Sequence, residues 1–207
     1  MPQGLISGMA FGVAKNDEIK IIQKNQNDYK NAFIALRKRE IEGEQMPWFF
    51  MSAVFYGKSA PDIMTWVMEY HEDFLKKWHP DLDPSSPGIM RKDILERYAA
   101  YIAKPDLPKG KILKDVIELD LQLSQKDLEM LKGELAAFGY AFSHGENNHI
   151  CSGPDMKFVV TLIDSGKGKI TEIKMSCSAN PFKEKTFEFG EKSRLVLHAD
   201  NTATWIF

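Results

Sequence analysis

Hydrophobic and polar positions alternate most sharply at Ile117, Leu119, Leu121 and Leu123, with Glu118, Asp120 and Gln122 between them, the pattern of a half-buried strand. The period changes at Ser124. Leu128, Leu131, Leu135 and Phe138 recur at helical spacing, and Ser124 with Asp127 three residues on forms an acidic variant of the capping box. Gly139 supplies the helix stop. From there the chain predicts only strands, over residues 140–143, 156–163, 170–178, 186–189, 194–199 and 202–207. Ser165-Gly166-Lys167-Gly168 and Asp200-Asn201 mark tight turns between several of them.

The first half is less regular. Residues 5–14 are small and apolar, with Gly8 and Gly12 inside, and predict a buried strand. From Asp17 the spacing of Ile19, Ile22, Tyr29, Phe33 and Leu36 turns helical, with Asn27 or Asp28 as the cap of a second helical piece reaching about Arg39. Residues 42–45 predict a loop and the aromatic run 47–56 a strand. Residues 64–71 fit a strand that places Trp66, Met68 and Tyr70 on one face and Val67, Glu69 and His71 on the other. The same stretch also fits a helix over 61–78; a strand followed by a short helix over 72–78 is the preferred reading. Three prolines in 79–88 break the chain, a helix follows over 89–103, and 105–110 reads as a linker.

A length of 207 residues allows one good-sized domain or two small modules. The net charge of −2 and the absence of any like-charge block argue against capture of nucleic acid or an anionic membrane. No apolar run approaches the roughly 20 residues that span a bilayer. The N-terminus lacks the basic start of a secretory signal, so the chain as given reads as cytoplasmic. Because residues 4–14 already resemble a core strand, a further upstream segment, and export with it, stays an open alternative. Cys151 and Cys177 lack metal-ligand spacing and read as two free thiols in neighbouring strands. No strong internal sequence repeat is evident.

The strand–helix–strands order of the second half resembles the glyoxalase, bleomycin-resistance and extradiol-dioxygenase (vicinal oxygen chelate) superfamily. Ser7-Gly8-Met9-Ala10-Phe11-Gly12-Val13 looks like the opening of such a module, and Trp66-Val67-Met68-Glu69-Tyr70 like its closing strand. Pro47-Trp48-Phe49-Phe50, Trp66 to His71 and the ending Ala203-Thr204-Trp205-Ile206-Phe207 also resemble an uncharacterised bacterial glyoxalase-like family. The resemblance implies an α+β fold of two glyoxalase-like strand–helix–strands modules with curved, mainly antiparallel sheets. The expected divisions are an N-terminal half over 1–88, a connecting helix and linker over 89–110, and a C-terminal module over 111–207. It also implies a divalent metal held in a cup by ligands from the first and last strand of each module. Glu69 matches the closing-strand carboxylate of the first module. The opening strand offers Gly8 and Met9 where a histidine is expected, the second module offers Asp115, Val116 and Glu118, and the last strands, with His198 or Trp205, show no carboxylate.

Read from the residues, Glu69 and His71 are the best candidate catalytic and metal-ligating pair. Two residues apart on a strand, they stand roughly 6–7 Å from each other on one face, and a carboxylate with an imidazole suits zinc, iron, nickel or manganese. The bland alternatives are a solvated sheet edge, or His71 capping the next helix. Glu118 and Asp120 are candidate ligand-binding residues that could shift each other's proton affinity, against the plain reading of a wet sheet face. Trp48, Phe50 and Trp66, within an aromatic and methionine cluster, could line a pocket for an apolar or planar ligand, or could simply be core. His144 and His149 bracket a turn and could chelate from opposite arms of a hairpin; a mobile polar loop is the competing reading.

Phosphate-loop, nucleophile-elbow, dinucleotide and His-Glu-x-x-His motifs are absent from the sequence. Three functional expectations follow, the first two being a binder of a small organic molecule with lyase, isomerase or dioxygenase-like chemistry on a divalent metal and a ligand-sequestering protein without catalysis. An interaction module forming a homodimer is the third.

Overall fold

The computed structural model describes residues 8–12, 32–54, 61–82, 89–103, 113–177 and 184–207. The chain divides into two compact units, Gly8–Glu96 and Arg97–Phe207.

In the first unit, β1 (Gly8–Gly12), β2 (Ala32–Ile41), β3 (Glu44–Val54) and β4 (Met64–Tyr70) form a sheet in the order β1-β4-β3-β2. β1 and β4 run parallel, the other pairs antiparallel. The helical expectation for residues up to Arg39 is corrected here: residues 32–41 are a strand, while residues 17–31 lie outside the described residues. The cause is nonlocal. Glu42 and Gly43 both adopt positive φ, at 53° and 83°, which makes a two-residue turn whose twist matches paired strands. The expected four-residue loop is therefore a tight turn, and it fixes β2 against β3 from Ile41↔Glu44 to Ala32↔Val54. Exposed Arg37, Lys38, Arg39 and Glu40 protect this outer strand from further pairing.

The strand expected over residues 64–71 runs from Met64 to Tyr70, and α1 (Glu72–Trp78) follows at once. Its acidic first turn, Glu72 and Asp73, and basic last turn, Lys76 and Lys77, complement the helix dipole. Phe74 and Leu75 are buried with Ile41, beside Met46, Trp48 and Tyr70. The expected helix near 89–103 is α2 (Arg91–Ile102), which straddles the division between the units. Among the described residues, no helix is long and apolar enough to cross a membrane.

The second unit is built on one mixed sheet of eight strands. β5 (Leu113–Leu123), α3 (Gln125–Ala137), β6 (Ala141–His144), β7 (His149–Ser152), β8 (Lys157–Leu162), β9 (Lys169–Cys177), β10 (Lys185–Phe189), β11 (Ser193–Leu197) and β12 (Thr202–Ile206) follow in chain order. The sheet order is β10-β11-β12-β9-β5-β8-β7-β6. Ser124 Oγ accepts a hydrogen bond from the Asp127 amide at 3.2 Å, and Gly139 takes φ +76° just beyond the helix. Leu128, Leu131 and Leu135, the expected stripe, are at most 2% exposed. α3 packs against β5, and one face of the sheet carries the fully buried Leu121, Phe158 and Val160.

The expected α+β fold of two glyoxalase-like modules with curved, mainly antiparallel sheets does not hold. The described residues form strand-dominated sheets of four and eight strands, each containing a parallel pair, with three short helices and no curved glyoxalase modules. The second half departs because β9 pairs antiparallel with the free side of β5, and β12, β11 and β10 then extend the sheet outward as antiparallel neighbours. A limited likeness between the halves is topological: in both sheets four strands run in the order first, fourth, third, second. β7 is a strand that the sequence reading missed. Cys151 on β7 and Cys177 on β9 are buried free thiols, but β8 and β5 separate their strands, which corrects their expected adjacency.

Candidate functional site on the charged face of the eight-stranded sheet

Alternation along β5 turns Glu118, Asp120 and Gln122 away from the buried leucines. Residues directly opposite in a ladder share a face, so Glu118 meets Lys157 of β8 and Lys174 of β9, and Asp120 meets Glu172. The result is a compact charge cluster across three strands. Glu118 is only 8% exposed. One of its carboxylate oxygens lies 2.5 Å from Lys157 Nζ, and the other is bonded by Lys174 Nζ. Lys174 Nζ also stands 3.4 Å from Asp120 Oδ2. Asp120 Oδ1 is buried with no hydrogen-bond partner among the described residues.

The two carboxyls are pushed in opposite directions. Burial raises the proton affinity of Glu118, but the two lysine ammoniums and a hydrogen bond from Asp120 outweigh it and hold the group below its ordinary range. For Asp120, burial acts first and the hydrogen bond to Glu118 next. With the charges of Glu118 and Glu172, they push it up to about 6 against the attraction of Lys174. Lys174 loses stability as a cation through burial, yet its two acidic partners more than compensate and raise its value. One carboxyl therefore stays ionised at neutral pH while its neighbour, two residues along, exchanges a proton near neutrality. Such divergence is what acid–base chemistry requires of a pair.

Glu118 and Asp120 were legible as one polar face. Lys157, Glu172 and Lys174 were not singled out, although Glu172 and Lys174 alternate on β9 in the same manner.

Glu69 and His71 belong to the other unit. Glu69 lies opposite Phe50, on the face shared with Val67 and Phe11. The strand ends at Tyr70, and His71 turns to cap α1: its backbone N–H donates to Trp48 O at 2.9 Å, and its Nδ1 accepts from the Asp73 amide at 3.3 Å. With Nδ1 accepting, the neutral ring carries its proton on Nε2. The Phe50 ring lies 5.7 Å from the His71 ring. Among the described residues, no three His, Cys, Asp or Glu side chains come together as metal ligands.

The aromatic candidates divide between the faces. Trp66 packs with Phe49, Met51, Met68 and Tyr70, whereas Phe50 stands on the Glu69 side. Trp48 sits where the β2–β3 register slips between Arg37 and Lys38. The local bulge lets its ring meet Phe49 at 4.5 Å and Phe74 at 6.3 Å, with Arg39 5.2 Å above it. These contacts make Trp48 and Trp66 part of the unit's apolar packing.

No curated protein matches the sequence. A solved structure described as a hypothetical protein from Staphylococcus aureus is similar over 88% of this chain at a TM-score of 0.50 and 7% identity, which is a likeness of fold alone. This chain spans 61% of the length of that one. A family model matches residues 4–207, and the chain belongs to the family of unknown function DUF5829.

Proposed function

We propose that the protein binds a small organic molecule on the charged face of its eight-stranded sheet, with Asp120 as the group that exchanges a proton with it. The observation that carries this reading is the state of Asp120: a carboxyl oxygen buried without a hydrogen bond, on a side chain held at about 6, beside an ionised Glu118. A ligand N–H or O–H placed over Asp120 Oδ1 satisfies that oxygen, and Lys157 and Lys174 orient acidic or carbonyl groups nearby. The charge on the face favours polar ligands with both donor and acceptor groups.

A second reading rests on Glu118, whose two oxygens tie Lys157 and Lys174 on its two flanking strands. In that reading the cluster fastens three strands together, and any ligand is held without turnover. One experiment separates the two. A set of small amines, hydroxy acids and sugars is screened by thermal shift, and each hit is followed by two-dimensional NMR. The first reading expects a ligand whose perturbations gather on residues 118–122 and 174, and whose affinity falls in Asp120→Asn. Hits that bind both proteins equally, or that perturb other residues, refute it.

A further inference from the structure

Beyond that face, on the side of the sheet that carries Phe158 and Val160, β6 and β7 form a hairpin in which His144 stands directly opposite His149. The hydrogen bond from Gly145 N to Asn148 O, at 2.9 Å, closes the turn one residue inside this pair. The two histidines therefore occupy a position without mutual backbone bonds, where opposed side chains approach most closely. Their rings are 4.3 Å apart between centroids at 62°. His144 is exposed, whereas Nδ1 of His149 is buried and has no hydrogen-bond partner among the described residues. Asn148 Oδ1, next in the chain, is in the same condition.

We propose that His144 and His149 form a two-histidine site for a divalent transition metal of the zinc type. Donor chemistry and geometry support it. Imidazole nitrogens are the preferred neutral donors for zinc, copper and nickel. Two rings bound to one tetrahedral ion at about 2 Å per bond place their centroids about 5 Å apart. A modest swing of the exposed His144 ring reaches that spacing from 4.3 Å.

Lys132 and Glu129 of α3, paired with each other at 3.1 Å, are the charged side chains of that helix that act on the His149 ring. Cys151 lies two residues along on the same strand. It is fully buried and is given no part in the proposed site. Water would fill the ion's remaining positions.

The test is calorimetric titration of the full chain with zinc chloride at pH 7.5, repeated with His144→Asn, His149→Asn and, as controls, His71→Asn and His198→Asn. Zinc is expected to bind one site and to raise the melting temperature of the parent and both controls. In each hairpin variant the affinity should fall on the order of tenfold or more, since losing a direct ligand costs at least as much as losing its supporting partner. His144 is exposed, so its variant is expected to melt like the parent without metal. Zinc affinity unchanged in His144→Asn, or lost instead in His71→Asn or His198→Asn, overturns the assignment.

Discussion

Asp120→Asn converts the carboxyl into an amide that resembles its protonated form. The amide keeps an N–H for Glu118 and removes the negative charge facing Glu118 and Glu172. Raising Asp120 from the usual 3.8 to about 6 means that the folded protein holds this proton more tightly than the unfolded chain does. Above pH 6 the folded state therefore bears the full cost of ionising the group. Between 6 and 3.8 the cost shrinks, and below 3.8 both states carry the proton and it disappears. The full cost is on the order of 3 kcal/mol. Lys174 loses one of its two acidic partners in the variant, which offsets part of the gain. At pH 7.5 the variant is thus expected to be more stable than the parent by about 1–3 kcal/mol. Urea denaturation at pH 7.5, 6.0 and 4.5 measures the difference, and the other carboxylates largely cancel between the two proteins. The gap should narrow steadily as the pH falls. A variant less stable than the parent at pH 7.5, or a gap independent of pH, refutes the account of Asp120 and removes the main support for its functional role.

Phe158→Ala empties a fully buried site beside β5 and is expected to cost about 3–5 kcal/mol at every pH tested, read from the same urea transitions. Ser124→Ala removes the acceptor for the Asp127 amide at the start of α3, and a loss of about 1 kcal/mol is expected, restored largely by Ser124→Asp.

What the sequence disclosed was decided by local physics. Residues 119–139 could be read because each signal lies within a few positions of its effect: an alternation of period two, a hydroxyl three residues before the amide it caps, and a glycine at the one position that needs positive φ; at Ile117, expected on the apolar face, a register irregularity breaks the alternation and leaves the side chain exposed. β2 could not, because Phe33 and Leu36 satisfy helical spacing while the pairing that makes them strand depends on the turn at Glu42 and Gly43 and on the whole of β3. β7 escaped because only Ile150 and Cys151 in its four residues are apolar, and β6 and β8 supply the ladder that defines it. The same rule governs the chemistry. Glu69 and His71 satisfied a spacing rule that holds only while the strand continues, and it ends at Tyr70, where His71 is drawn into capping α1. Asp120 was legible as a polar position, but its proton affinity is set first by burial and by Glu118 beside it, with Lys174 and Glu172 acting from more than fifty residues along the chain. Two carboxyls with near-identical intrinsic acidity thus acquire different protonation states from their burial, from each other and from which lysines reach them across the ladder. That assignment belongs to the register of β5, β8 and β9: shifting β9 by one residue would carry Lys174 to the opposite face and leave Glu118 and Asp120 with Lys157 as their remaining flanking cation.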